Sequence, residues 1–197
     1  MLALMQKKLA TLLIAIDEIN AQDPNKILFN NQLQPKELIY GQQMTACLNK
    51  HWVKSSEQLQ IAVRAQHIKR WHLKRNEFEN GKIGYYKWRI ALGKYHAQLT
   101  ASLMLKHGYN EAQAQETAAI IRKDNIKTNN NTQALEDVAC LVFLQHYLND
   151  FSTKHSEEKI IRILQKTWTK MSVKGQEIAL ALTLPTHLSK ILKKALS

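Results

Sequence analysis

Proline and glycine are scarce in this chain, 3 and 6 among 197 residues. Sandwiches, barrels and doubly wound sheets need many tight turns, so the scarcity argues against all three. Cysteine is nearly absent. Cys47 and Cys140 are far apart, lie in apolar helical patterns and match no metal spacing. They read as buried thiols of a cytoplasmic protein. No apolar stretch approaches the roughly 18 residues that span a bilayer, which predicts no membrane partner. The first 16 residues carry Gln6, Lys7 and Lys8, with Leu9, Leu12, Leu13 and Ile16 at helical spacing. That layout predicts a helix and not a signal peptide. Acid is also short: 16 Asp and Glu stand against 28 Lys and Arg, a formal net charge of +12. Such a balance admits RNA as a partner, but the lysines are dispersed, Lys190, Lys193 and Lys194 among them, as on a solvated face. RNA is therefore not the favoured reading.

What is present is ordinary globular composition, 45% hydrophobic and 22% charged, on a length that suits one domain. The expectation is an all-α, single-domain bundle of about eight or nine helices covering 1–197. The first helix should span about 7–21, ending at Asp23-Pro24-Asn25, and a loop through Asn30 and Asn31 should follow. Pro35 suits the first position of a helix over about 35–50. Ser55 with Gln58 forms a capping-box pattern opening a helix over 56–73, and Asn110 with Gln113 forms a second, opening a helix to about 124. Between them an irregular stretch, 74–85, precedes a long helix over 86–107, stopped by Gly108. Asn131 caps 132–149, Ser156 caps a helix to about 172, and a last pair spans 176–184 and 186–196.

Three places carry chemistry. Spacings of three and four put Arg64, His67 and Trp71 on one face of helix 56–73, with Arg70 at its border and Ile61, Ala65 and Ile68 opposite. A guanidinium, an imidazole and an indole together suit a phosphate or a planar base. The bland alternative is a solvated face with Trp71 as an anchor. On helix 86–107, Trp88, Leu92, Tyr95, Leu99 and Leu103 form the expected core stripe, beside a second line of Arg89, Gly93, His96 and Thr100. Gly93 costs about 1 kcal/mol against Ala inside a helix, and either close packing or room for a ligand beside His96 would account for it. Glu136 and Asp137 lie in the most apolar run of the chain, 135–144. At least one should face inward, and a buried carboxylate needs a cation, a histidine or a metal. Arg64, Arg70, Arg89, His67 and His96 are the expected partners, in a structural ion pair or a site. Lys154, His155 and Lys159 flank a helix start that favours anions, a weak signal alone.

Lys170-Met171-Ser172 matches part of a class I aminoacyl-tRNA synthetase loop, but a three-residue match carries nothing. That class also needs a parallel nucleotide-binding sheet and a His-x-Gly-His element, neither of which is here. Synthetase activity is rejected. There is no phosphate-cradling Gly-rich loop, no His-Glu-x-x-His and no Gly-x-Ser-x-Gly.

The strings Arg-Ala-Gln-His-Ile-Lys-Arg-Trp (64–71), Gly-Tyr-Tyr-Lys-Trp-Arg (84–89), Tyr-His-Ala (95–97), Leu-Glu-Asp-Val-Ala-Cys-Leu-Val-Phe-Leu (135–144) and Lys-Thr-Trp-Thr-Lys-Met-Ser (166–172) resemble one family. With Ile16-Asp17, Asn20 and Asp23-Pro24-Asn25, the likeness to domain of unknown function 4202 spans nearly the whole chain. The family pattern usually has Pro where Lys74 stands and often Arg where Gln43 stands. The resemblance implies identity without an activity; a glutamyl-tRNA synthetase label on some relatives finds no support in the residues.

Three functions compete. One is a metal-dependent phosphohydrolase-like enzyme. His67, His96 and Asp137 or Glu136 would hold a divalent metal ion, in an order similar to helical hydrolases of the His-Asp superfamily. Arg64, Arg70 and Arg89, with Trp71, Lys154 and His155 as further contacts, would hold a nucleotide or other phosphorylated small molecule. Ala97 follows His96 where that superfamily has Asp, a serious departure. The second is a non-catalytic nucleotide- or RNA-binding module using the same residues, with Trp71 or Trp88 as a stacking platform. The third is a helical scaffold with a buried ion-pair network.

Overall fold

The computed structural model describes the backbone of residues 2–196 and the side chains of residues 7–196. In order they form α1 (Leu2–Asn20), β1 (Lys26–Phe29), β2 (Gln32–Pro35), α2 (Lys36–His51), α3 (Glu57–Ala65), α4 (Gly81–Lys106), α5 (Glu111–Arg122), α6 (Asn130–Val142), α7 (Leu148–Ser152), α8 (Glu157–Trp168), α9 (Val173–Leu180) and α10 (Thr186–Leu196). A π turn, Phe143–Tyr147, joins α6 to α7, so these two are one interrupted helix. The fold is all-α, with nine helices among the described residues. The single sheet among them is the antiparallel pair β1–β2, in register from Lys26↔Pro35 to Phe29↔Gln32. Asn30 and Asn31 turn it with φ of 49° and 61°. Asn tolerates that left-handed geometry, and a two-residue turn of this kind matches strand twist. The expected loop is therefore a hairpin.

The chain divides into two compact units, residues 1–132 and 133–197. In the first, α3 packs on α1, α2, α4 and α5. Its Leu59, Ile61, Ala62, Val63 and Ala65 are all buried. Burial of each large aliphatic side chain contributes about 1.5–3 kcal/mol. Gly41 on α2 admits the approach of α3, because a Cβ there would lie 3.0 Å from the Arg64 carbonyl oxygen. In the second unit α10 packs on α8, burying Leu188, Leu192 and Ala195 from one side and Ile160 and Leu164 from the other.

Helix ends follow local chemistry where a side chain can reach. Asn110 and Gln113 form the reciprocal capping box. Ser56, one residue past the expected cap, accepts from the Leu59 N–H at 3.2 Å. Asn129, two residues before the expected Asn131, accepts from the N–H groups of Asn131 and Thr132. Ser172 caps α9 through the Gly175 N–H, which places Gly175 in the first turn of that helix. Ser156 precedes α8 without a side-chain cap bond. Pro35 is itself the residue flanking α2, not its first helical position. Cys140 is buried as expected; Cys47 is only half-buried, and burial pushes its thiol up to about 11.

The largest departure concerns 56–73. The helix stops at Ala65, and a turn followed by a 3-10 segment, Arg70–His72, replaces the rest. Lys69 has φ of 51°, and the Asn20 side-chain oxygen accepts its N–H at 3.0 Å. A polar side chain on α1 thus compensates a turn that a β-carbon opposes. Arg64, His67 and Trp71 consequently do not share one helical stripe.

Candidate functional site

The first unit gathers one cluster of polar side chains. Glu37 lies in the first turn of α2, where its own N–H is held at 3.0 Å by Asp23. Asp23 is fully buried and its other oxygen takes two donors of Asn25. Glu37 is itself buried. His67, in the turn after α3, places Nδ1 at 3.1 Å from Glu37 Oε2 and Nε2 at 2.7 Å from Arg70 Nη1. A guanidinium can only donate, so Nε2 accepts and Nδ1 carries the proton donated to Glu37. Tyr40 stacks on the imidazole, ring centroids 4.2 Å apart and 13° from parallel. Arg70 lies over the Trp88 ring at 5.1 Å and reaches Glu37 at 4.0 Å. Trp88 is fixed in turn by its indole N–H, donated to the Leu73 carbonyl at 2.9 Å.

His96 closes the cluster, its ring centroid 6.1 Å from that of His67. Its Nδ1 donates to the Ile68 carbonyl at 2.7 Å, because a carbonyl only accepts. Its Nε2 is a buried acceptor with no hydrogen-bond partner among the described residues, a status shared only with Thr132 Oγ1. An unsatisfied buried polar atom costs about 1–3 kcal/mol. Both imidazoles are therefore oriented alike: the Nδ1 donor is committed and Nε2 offers a lone pair.

The electrostatics are lopsided. Burial, then the charges of Arg70, Lys123, Arg89 and Lys36, hold the His67 pKa well below the ordinary imidazole value. Burial, then the neighbouring His67, lowers His96 to about 3, although its bond to the Ile68 carbonyl pulls the other way. Both are neutral at pH 7. Burial raises Glu37, against the attraction of Arg70, Lys36 and His96. Lys123 stands at the end of α5 with φ of 64°, a second left-handed non-glycine residue bearing on this cluster.

The expected residues are distributed as follows. Arg70, His67 and His96 come together, and Arg89, exposed on α4, contributes charge. Arg64 instead forms a two-pronged ion pair with Asp17 of α1, with Nε at 2.6 Å from Oδ1. Trp71 is half-buried in the 3-10 segment, and it is Trp88 that carries Arg70. On α4 the buried stripe is only partly the expected one: Leu92 is buried as expected, but His96, Thr100 and Met104 are buried with it, while Trp88, Tyr95, Leu99 and Leu103 are half-buried. A Cβ on Gly93 would meet open space, so close packing does not explain that glycine.

In the second unit Asp137 is satisfied by neutral donors: Gln133 Nε2 at 3.0 Å, Ser172 N–H at 2.8 Å and Ser172 Oγ at 2.5 Å. Glu136 lies 3.7 Å from the Lys170 ammonium. His155 packs against Phe151, centroids 4.2 Å apart, and its Nδ1 is 3.2 Å from Lys159 Nζ. Lys154 caps a turn with its N–H on the Phe151 carbonyl. Among the described residues no group of three or more His, Cys, Asp or Glu side chains is arranged to hold a metal ion. None of the described helices is long and apolar enough to cross a membrane.

Sequence reading missed Glu37, Tyr40 and Lys123. Glu37 looked like an ordinary acid at a helix start, and Lys123 like an ordinary base at a helix end, both favoured there by the helix dipole. The fold and the cluster define an all-α protein with a partly buried, histidine-centred polar cluster beside Arg70. The chain belongs to the family described as Domain of unknown function (DUF4202), whose model matches residues 10–192. No curated protein and no solved structure matches it.

Proposed function

We propose that the cluster around His67 binds the phosphate group of a small molecule, a nucleotide or another phosphorylated compound. The observation that carries this reading is the placement of Arg70: its half-buried guanidinium donates to the neutral His67 imidazole at 2.7 Å and stands 4.0 Å from the Glu37 carboxylate. The charges of Arg70, Lys123, Arg89 and Lys36 all bear on that imidazole. A positive potential in a half-buried place attracts a dianion, which can accept paired guanidinium N–H bonds. Trp88 beneath Arg70 and Tyr40 on His67 keep both planes in place. A phosphoester bound to Arg70 would lie beside a neutral imidazole backed by a carboxylate, the arrangement of a general base. Calorimetric titration with inorganic phosphate, pyrophosphate and a nucleoside monophosphate tests the reading. Arg70→Ala should weaken binding about tenfold or more, as expected for a lost charge-assisted pair. Absence of binding by all three compounds would end it.

A second reading, a metal-dependent site, is favoured by one specific observation. Histidine ligands of metals typically donate their other ring N–H to a carboxylate or carbonyl. His67 does so to Glu37 and His96 to Ile68. The two Nε2 atoms are then the natural donors to a divalent ion, with Arg70 moved aside. Metal content after native purification, compared with His67→Ala and His96→Ala, separates this reading from metal-free phosphate binding.

A further inference from the structure

We propose that the outward face of the first half of α4 docks an acidic, amphipathic segment of another protein. Ile83, Tyr86 and Ile90 are 67%, 53% and 60% exposed and recur at i, i+3 and i+7. At 100° per residue they fall on one stripe, turned away from the buried Leu92 and His96 of the same helix. Solvent gains nothing from three large apolar groups in a row, and such a stripe marks a surface that a partner covers. The spacing is that of anchors laid along a helix-in-groove contact, and it extends about 10 Å.

Charge selects the partner. The 26 residues of α4 contain no Asp or Glu. Lys82, Lys87, Arg89 and Lys94 are exposed around the stripe. Lys82 lies 5.9 Å from the Tyr86 ring and Arg89 6.0 Å from the Tyr85 ring, so cations edge the apolar surface. Lys87 also reaches Glu79 at 3.5 Å, but that pair is exposed and weak. A second copy of this chain would bring its own +12 against the same basic face. RNA would match the charge, yet Ile83 and Ile90 give a base neither a π-face nor a hydrogen bond. A peptide with apolar anchors and a carboxylate rim matches both features.

The test uses the full chain and a labelled helical peptide of about 20 residues, built from Leu, Ala and Glu with Leu at i, i+3 and i+7. Fluorescence anisotropy should show saturable binding that weakens as salt rises. The Ile83→Gln/Ile90→Gln double variant, with an unchanged melting temperature, should bind about tenfold or more weakly. A scrambled peptide of equal composition should lose as much. The proposal is overturned by no binding, by equal binding of the scrambled peptide, or by an unaffected double variant. It is equally overturned if the double substitution instead abolishes tighter binding to oligouridine, or dissolves a self-association seen by sedimentation.

Discussion

The two buried polar clusters of this chain differ in how completely they are satisfied. Around Asp137 the accounts of donor and acceptor close: one carboxylate takes three neutral donors, and a Cβ on Gly175 would come 2.7 Å from Oδ1. Around His67 they do not close. His96 Nε2 lacks a partner among the described residues, and Arg70 donates to a neutral imidazole while standing 4.0 Å from Glu37. Neutral donors on a lone carboxylate fix a turn and leave nothing to offer. An unused buried lone pair costs stability in the folded protein, and it leaves an acceptor that is still open.

The contrast can be broken from either side. The largest effect is expected for Asp137→Ala, which removes the acceptor of the Ser172 N–H and hydroxyl and one of the two acceptors of Gln133 Nε2; chemical denaturation should show a loss of about 2–4 kcal/mol with phosphate binding unchanged. Gly175→Ala forces Asp137 or Ser172 to shift and should cost about 1–3 kcal/mol in the same measurement, again without touching the ligand. Asn20→Ala works on the other cluster. Without its bond to the Lys69 N–H the left-handed turn loses its support, so stability should fall by about 1 kcal/mol and phosphate affinity with it. If affinity survives Asn20→Ala while stability falls, the turn does not position the site.

Acid sharpens the comparison further. The folded-state pKa values of His67 and His96 lie below the unfolded value near 6.5. Between the two, the unfolded chain binds more protons, so stability is full above about pH 6.5 and falls as pH drops towards the folded values. For His96 that window runs from 6.5 to about 3. One such group gives a limiting slope of about 1.4 kcal/mol per pH unit. Glu37 acts in the opposite sense, because its raised pKa favours the protonated folded state just above 4.5. Melting temperatures across pH 5–7 should fall towards acid, and His96→Phe should flatten that dependence. At pH 7 the same substitution should change stability by less than about 1 kcal/mol, since it removes an unsatisfied acceptor along with a hydrogen bond. An equally steep acid dependence in His96→Phe would place the titrating groups elsewhere.

Much of the fold was legible because its signals are local. The capping box of Asn110 and Gln113 needs four consecutive residues, and the structure has it. The Asn30–Asn31 pair between two short runs is likewise a local hairpin signal, since both residues tolerate the left-handed geometry of a two-residue turn. The end of α3 was not legible, since the residue that stabilises the turn beyond it, Asn20, is 49 positions from Lys69. Nor was most of the face of α4: Trp88, Tyr95, Leu99 and Leu103 at helical spacing look like a core stripe with Leu92, yet only Leu92 of these is buried, alongside His96 and Thr100. His96 can be buried because the Ile68 carbonyl, 28 positions away, accepts the hydrogen bond from its Nδ1–H.

Scarce glycine and proline, helical periodicity and caps determined an all-α chain, and long specific strings determined its family. These rest on interactions within a few residues, which any stretch of chain carries with it. Tertiary structure decided that Arg64 is spent on Asp17, 47 positions away, while Arg70 is left to His67. It also decided that Glu37, 30 positions from His67, is the carboxylate behind that imidazole. Charges of similar appearance in the sequence acquire different roles because Coulomb energy depends on distance and burial, and both are set only once the helices pack.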